Sequence, residues 1–306
     1  MRSLRTKLLI SGVAAGALVL GSVGGASAVF GPGEAFGFVW TEYGAVEAQE
    51  TVDLVAKQGK SLVTQRYVIP PNFSGLWPTH QGPNYVMHVK GSSVNTYEGC
   101  GSEAVTWDQG KGYYRDGSAS PQGMRLENPN SDDAELIVVW LDVNPADAHN
   151  TLPYGTEELK QGACTPAVDI PHYEYARGPA HTDIPWSHEQ GTFVIAMHFL
   201  TSPQWHFQWH THPPTFITHL RGPEREYIGC PEIIDWQPNV TYLHSPGAFG
   251  RPQERAKNVS NDEATEFWVM FSKGPAQRVR GSIPVTFTGP PEECVTDGTL
   301  TNTNSG

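Results

Sequence analysis

Positive charge is scarce in this chain: Lys and Arg number 20 against 32 Asp and Glu in 306 residues. Residues 1–28 hold three of the bases (Arg2, Arg5 and Lys7) and no acid, which leaves 17 basic against 32 acidic residues and a formal charge of −15 in the remainder. That field repels nucleic acid and anionic lipid. Long apolar runs are missing beyond the first 28 residues, so no other segment is apolar enough to cross a bilayer. Helical periodicity is nearly missing as well, with Glu47–Lys57 the one stretch that suggests it. The sequence also lacks a Gly-x-Ser-x-Gly elbow, a phosphate-binding glycine loop and a basic aromatic patch. A glycosidase needs two carboxylates across a cleft, and no spacing here singles out a pair.

What is present points elsewhere. The first 28 residues read as a secretory signal: the three bases, an apolar stretch from Leu8 to about Val23, then Ala26-Ser27-Ala28 ahead of a mature start at Val29. The protein is therefore expected to be secreted or extracytoplasmic. Glycine (32) and proline (25) punctuate the chain every few residues, the composition of an all-β protein rich in turns. Short apolar runs bounded by Gly or Pro predict strands at Ser61–Ile69, Tyr85–Lys90, Leu136–Leu141, Thr192–Leu200, Trp205–His212, Phe216–Leu220 and Phe267–Phe271. The segment 167–188, rich in Pro and His, reads as a crossing between domains, and the tail 296–306 as disordered.

An internal repeat of 129 to 132 residues organises the chain. Trp77 matches Trp209, and His80 matches His212. The segment from Asn84 to Gly91 falls on that from Thr215 to Gly222, with His88 on His219. Trp107 matches Trp236, and Asn128 matches Asn258. Two domains follow, residues 29–166 and 167–295. The cysteines obey the same repeat, since Cys100 and Cys164 are 64 apart and so are Cys230 and Cys294. Of the three connectivities four cysteines allow, this predicts Cys100–Cys164 and Cys230–Cys294, one staple in each half.

The run Trp205–His212 carries the chemistry. With a period of two it puts His206, Gln208, His210 and His212 on one face and Trp205, Phe207 and Trp209 on the other. Alternate imidazoles on a strand sit about 6.5–7 Å apart along the backbone, close enough for both to reach one ion. The aromatics, pointing away, are expected to pack against another sheet or domain.

His210-x-His212, with Thr215 three positions on and Gly222 seven beyond, resembles the first motif of the cupin superfamily. That motif usually carries a glutamate at or just after the place of Thr215. Pro246–Asn258 resembles the second motif, in which a histidine lies four positions before an asparagine; here that place is held by Glu254. The two halves together resemble a bicupin, in the style of secreted actinobacterial cupin-domain proteins. The resemblance implies two tandem jelly-roll β-barrels.

Carried over residue by residue, it implies a metal in the second barrel on His210, His212 and Glu254, with Thr215 a poor direct ligand. Two histidines and a carboxylate suit Fe, Mn, Ni, Cu or Zn. His206 and Gln208, on the same predicted face, would sit deeper as orienting or acid/base groups. In the first barrel Pro78, Asn84 and Met124 stand at three of the four motif places and leave His80 alone, so that site reads as degenerate. His88 and His219 lie about 13 Å along the strand from the former glutamate position and read as structural.

The function implied is a metal-dependent oxidoreductase, dioxygenase-like, acting on a small organic substrate. The alternative is a metal-free secreted protein that binds a small ligand or serves a structural role. The partners implied are a small-molecule ligand or substrate, with homo-oligomers permitted and no nucleic acid, and the protein is not expected to be an integral membrane protein after signal cleavage.

Overall fold

The computed structural model describes residues 37–77, 83–97, 104–115, 124–146, 170–229, 232–244, 253–274 and 284–288. The predicted leader, all four cysteines with their predicted pairing, Pro78, His80 and the tail lie outside these residues.

Every regular element among the described residues is a strand. In chain order they are β1 (Phe38–Ala48), β2 (Val52–Ala56), β3 (Ser61–Ile69), β4 (Ser74–Trp77), β5 (Asn84–Lys90), β6 (Ser93–Tyr97), β7 (Ala104–Trp107), β8 (Lys111–Arg115), β9 (Met124–Glu127) and β10 (Ala134–Val143). The second half supplies β11 (His172–Pro179), β12 (Ile184–His188), β13 (Phe193–Thr201), β14 (His210–Thr211), β15 (Thr215–Arg221), β16 (Glu224–Ile228), β17 (Glu232–Trp236), β18 (Val240–His244), β19 (Glu254–Asn258), β20 (Thr265–Gly274) and β21 (Thr286–Phe287). Glu47–Lys57 is not helical. Val52 and Ala56 are buried on one face of β2, which pairs along its whole length with β12, and that cross-strand pairing overrides the weak helical pattern. The expected crossing at 167–188 is itself two strands, β11 and β12.

Ten strands form one sheet in the order β11-β3-β10-β5-β8-β1-β13-β20-β15-β18. Its end strands meet through a parallel bridge between Ala180 and Thr241, so the sheet closes on itself. Two smaller sheets, β4-β9-β6-β7 and β17-β16-β19-β14-β21, complete one barrel each. The result is two tandem jelly rolls. Three cores follow from this layering: one inside the first barrel around Trp140 and Leu136, one inside the second around Phe199, Phe267 and Phe271, and one between them around Trp186, Tyr85 and Phe216.

The halves exchange strands. β1 pairs with β13 of the second half, and its counterpart β11 pairs with β3 of the first. Both carry an irregularity at the same place, with Tyr43 skipped between Glu42 and Gly44, and Tyr175 between Glu174 and Ala176. The two tyrosine rings lie 4.7 Å apart, which places the pseudo-twofold axis between them.

Two residues of the repeat have structural work. Gly222, which ends the motif strand, has φ +79°, and a Cβ there would lie 2.4 Å from the Ala264 carbonyl oxygen and 2.8 Å from the Thr265 Cα. Both contacts are backbone, so neither can swing away. Gly222→Ala is expected to destabilise the fold by about 1–3 kcal/mol from backbone strain alone, read as a lowered urea midpoint at unchanged slope.

His88 and His219 are fully buried, one in each barrel. His88 Nε2 meets Ser93 Oγ at 2.9 Å. Burial holds its imidazole down to about 3, against a smaller opposing effect of the Gly91 backbone; burial lowers His219 in the same direction. The unfolded chain therefore takes up a proton below about 6.5 that folded His88 refuses until about 3, and stability falls as pH drops through that window. The loss assigned to His88 is about 2–3 kcal/mol between pH 6.5 and 4.5. Urea titrations at those two pH values are expected to show a correspondingly smaller loss for His88→Gln.

Candidate metal centre

The site forms where the chain after β13 returns along β19. Asn258 N donates to Trp205 O and Phe207 N to Ala256 O, each at 2.9 Å. His206 bridges Lys257, and further on His210 stands opposite Glu254. Four steps on one side, 206 to 210, thus span three on the other, 257 to 254. One extra residue is absorbed within 207–209, and such a bulge reverses the alternation of every side chain beyond it.

The bulge corrects the period-two reading of this segment. Trp205 and Phe207 are buried in the second barrel's core, with Phe207 lining the cavity beside His210. His206 and Gln208 are exposed, on the face opposite to the one the unbroken alternation assigned them. Their side chains point away from the cluster, and what Gln208 gives it is its backbone carbonyl. His206→Ala and Gln208→Ala are expected to leave metal affinity within about twofold of the parent, since exposed side chains away from the site change little, as measured by chelator competition.

His210, His212 and Glu254 converge. His210 Nδ1 donates to Gln208 O at 2.8 Å and His212 Nδ1 to Pro213 O at 2.6 Å. Carbonyl oxygens only accept, so both imidazoles spend their proton on the backbone and present a bare Nε2 lone pair. Both lone pairs face one carboxylate atom: Glu254 Oε1 lies 3.2 Å from His210 Nε2 and 3.1 Å from His212 Nε2.

Two further residues join them that the motifs did not mark. His244 closes β18 directly opposite Thr215 on β15, so a histidine reaches the cluster from across the strand pair where the motif's glutamate is missing. Its Nδ1 lies 2.8 Å from Glu254 Oε1 and 3.1 Å from His212 Nε2. Its Nε2 lies 2.7 Å from Oε1 of Glu226 on β16, whose Oε2 accepts from the Trp236 indole at 2.9 Å. The sequence cue for this pair is faint: a histidine ending the alternating run Val240–His244, and a buried acid in a short strand. Thr215 turns its hydroxyl to Pro213 O at 2.9 Å.

The electrostatics follow from this crowding. His210, His244, Glu226 and Glu254 are all under 5% exposed. Burial alone would raise Glu254, but His244 and His212 hold its carboxyl well below the usual range. Burial works against charging His244, yet Glu226 and Glu254 on either side outweigh it and hold the imidazolium up to about 10. Burial lowers His212, with Glu254 opposing, and raises Glu226, with His244 opposing. Acceptor atoms packed this closely require a cation among them. Either a metal ion or a proton on His244 can serve.

An apolar cavity adjoins the cluster. Phe199, Phe207, Ile217, Trp236, Phe267 and Phe271 wall it, while His210, His212, Thr215 and His244 line it from the cluster. The first barrel has no such ligand group among the described residues.

No family model and no curated protein matches this chain. Among solved structures, oxalate decarboxylase from Bacillus subtilis at pH 4.6 is 11% identical over 76% of this chain and 77% of that chain, with a TM-score of 0.31. A second structure of that enzyme, from work on its Mn(II) centres, is 13% identical over 86% and 85% with a TM-score of 0.33. A cupin 2 conserved barrel domain protein from Leptotrichia buccalis is 10% identical over 76% and 98% with a TM-score of 0.26. Overlaps this distant carry nothing about metal, substrate or reaction. In fold, on its own strand order and closure, the chain is all-β, a tandem pair of jelly-roll barrels.

Proposed function

We propose that the second barrel holds one divalent transition metal on His210, His212, His244 and Glu254, and that the protein is a metal-dependent, dioxygenase-like enzyme acting outside the cytoplasm on a small organic substrate. One observation carries this reading: three imidazole nitrogens, two of them on imidazoles whose protons are committed elsewhere, lie within 3.2 Å of one carboxylate oxygen, Glu254 Oε1. Imidazole and carboxylate together suit Mn, Fe, Ni, Cu or Zn.

The surrounding residues fit the same role. Glu226 takes His244 Nε2 and is itself fixed by Trp236, the carboxylate–histidine support that orients metal-bound imidazoles. The aromatic walls of the cavity exclude water and offer an apolar surface to a substrate. When bound, such an ion supplies Lewis acidity, and a redox-active one supplies electrons to oxygen.

The second reading, a metal-free binding or structural bicupin, draws on a specific observation too. Protonated His244 between Glu226 and Glu254 neutralises the cluster without any metal. Elemental analysis of tag-free protein, made without chelator, separates the two. About one transition metal per chain, lost in His210→Ala/His212→Ala, together with oxygen uptake on some small organic substrate, supports the enzyme. No metal even after reconstitution sinks it and leaves the metal-free account.

A further inference from the structure

The cavity beside the cluster selects what can reach it. Ala256, Val269 and Val285 complete the apolar walls already named, and all the lining residues are among those described. None of them is Lys, Arg, Asp, Glu, Asn or Gln. The polar side chains lining it are His210, His212, Thr215 and His244, together with the indole of Trp236.

The donors among them are already committed. His210 Nδ1 and His212 Nδ1 give their protons to Gln208 O and Pro213 O. The Thr215 hydroxyl donates to the same Pro213 carbonyl at 2.9 Å, and the Trp236 indole donates to Glu226 Oε2. His244 has one nitrogen 2.7 Å from Glu226 and the other 2.8 Å from Glu254. Acceptors and rings are what face the cavity, so a carboxylate or phosphate finds no side-chain N–H or O–H there to bind its outer oxygens.

Charge balance narrows the ligand further. Glu226 and Glu254, both ionised, match one divalent ion, and without that ion the His244 imidazolium leaves them one positive charge short. An anionic ligand would add a negative charge against apolar walls with no Lys or Arg lining them, and burying an unpaired charge is costly. A polyol would turn several hydroxyls toward hydrocarbon, at a cost for each. A single hydroxyl is different, because its proton has acceptors in the cluster and its oxygen has the ion.

We propose, resting on the metal site inferred above, that the substrate is an uncharged, carbon-rich molecule with one hydroxyl, a monohydric phenol or alcohol. Its hydroxyl meets the cluster, and its hydrocarbon part lies against Ile217, Phe267 and Phe271. Carboxylic acids and sugars are rejected by the same walls.

The test uses tag-free protein, as purified and after incubation with zinc, titrated by calorimetry with phenol, benzoate and glycerol at neutral pH and matched ionic strength. Phenol and benzoate share the ring and differ in charge, while glycerol keeps hydroxyls without the ring. Phenol is expected to bind saturably, at least about tenfold more tightly than either of the others. Its ring protons are expected to give Overhauser contacts to the methyls of Ile217 and Val269 in methyl-labelled protein. Ile217→Phe, which fills the cavity, is expected to weaken phenol at least about tenfold.

Benzoate or glycerol binding as tightly as phenol, phenol held away from Ile217 and Val269, or no phenol binding at all would each overturn the proposal. Should Ile217→Phe fail to fold, the contacts in the unaltered chain still decide. Metal content is read on the same samples, which separates the two inferences. Protein without metal that still prefers phenol ends the metal reading and upholds the cavity's preference, whereas zinc-loaded protein that prefers benzoate ends the present inference alone.

Discussion

His244→Ala is expected to strip the protein of its metal as completely as His210→Ala or His212→Ala, a loss of affinity of about 100-fold or more. The three-residue set suggested by the motifs predicts the opposite, because His244 belongs to neither motif. The geometry places its Nδ1 closer to Glu254 Oε1, at 2.8 Å, than either motif histidine comes. Glu226→Gln is expected to be milder, about 10–100-fold, as for other residues that orient a ligand rather than contribute one. Competition with a chromophoric chelator measures both. Parent-like affinity in His244→Ala would return the site to three protein ligands.

Affinity is also expected to rise steeply with pH, about tenfold per unit and hence about 100-fold between pH 6 and 8. The sign follows from competition at one atom. Glu226 and Glu254 hold the His244 imidazolium up to about 10 in the metal-free chain, and Nδ1 must shed its proton to ligate. Below that value the protonated form dominates, so each unit of added acidity leaves a tenfold smaller unprotonated share able to ligate. About one proton should be released per metal bound, measurable by calorimetry in buffers of different ionisation enthalpy. Equal apparent affinities at pH 6, 7 and 8 would show that His244 is not a ligand, or is not charged without metal.

Much of the fold was legible in the sequence because the repeat and the strand signals agree. Ser61–Ile69 is β3 from end to end, and the matched pairs Asn84 with Thr215 and His88 with His219 occupy equivalent registers in the two barrels. The exchange of β1 and β11 was not legible. The two strands are counterparts under the repeat, so the pattern alone does not say which of β3 and β13 each one joins.

The site was half legible. The alternate histidines His210 and His212 announce themselves by spacing, and Glu254 only by the resemblance of Pro246–Asn258 to the second cupin motif. His206 and Gln208 were misplaced by a single extra residue, since a one-residue bulge turns a period-two argument inside out. His244 escaped because its repeat partner is Arg115, a residue of different chemistry, and because it meets Thr215 only through strand pairing across more than 20 intervening residues. Sequence resemblance records which motif positions have changed, and not that a loss on one strand has been made good from its neighbour.

The most direct test of the central claim is an anomalous-scattering map from crystals of the mature protein reconstituted with Mn, Fe or Zn. The account predicts one peak in the second barrel, bounded by His210 Nε2, His212 Nε2, His244 Nδ1 and Glu254 Oε1, and no peak in the first barrel. A second barrel without a peak, or a peak that omits His244, would contradict it.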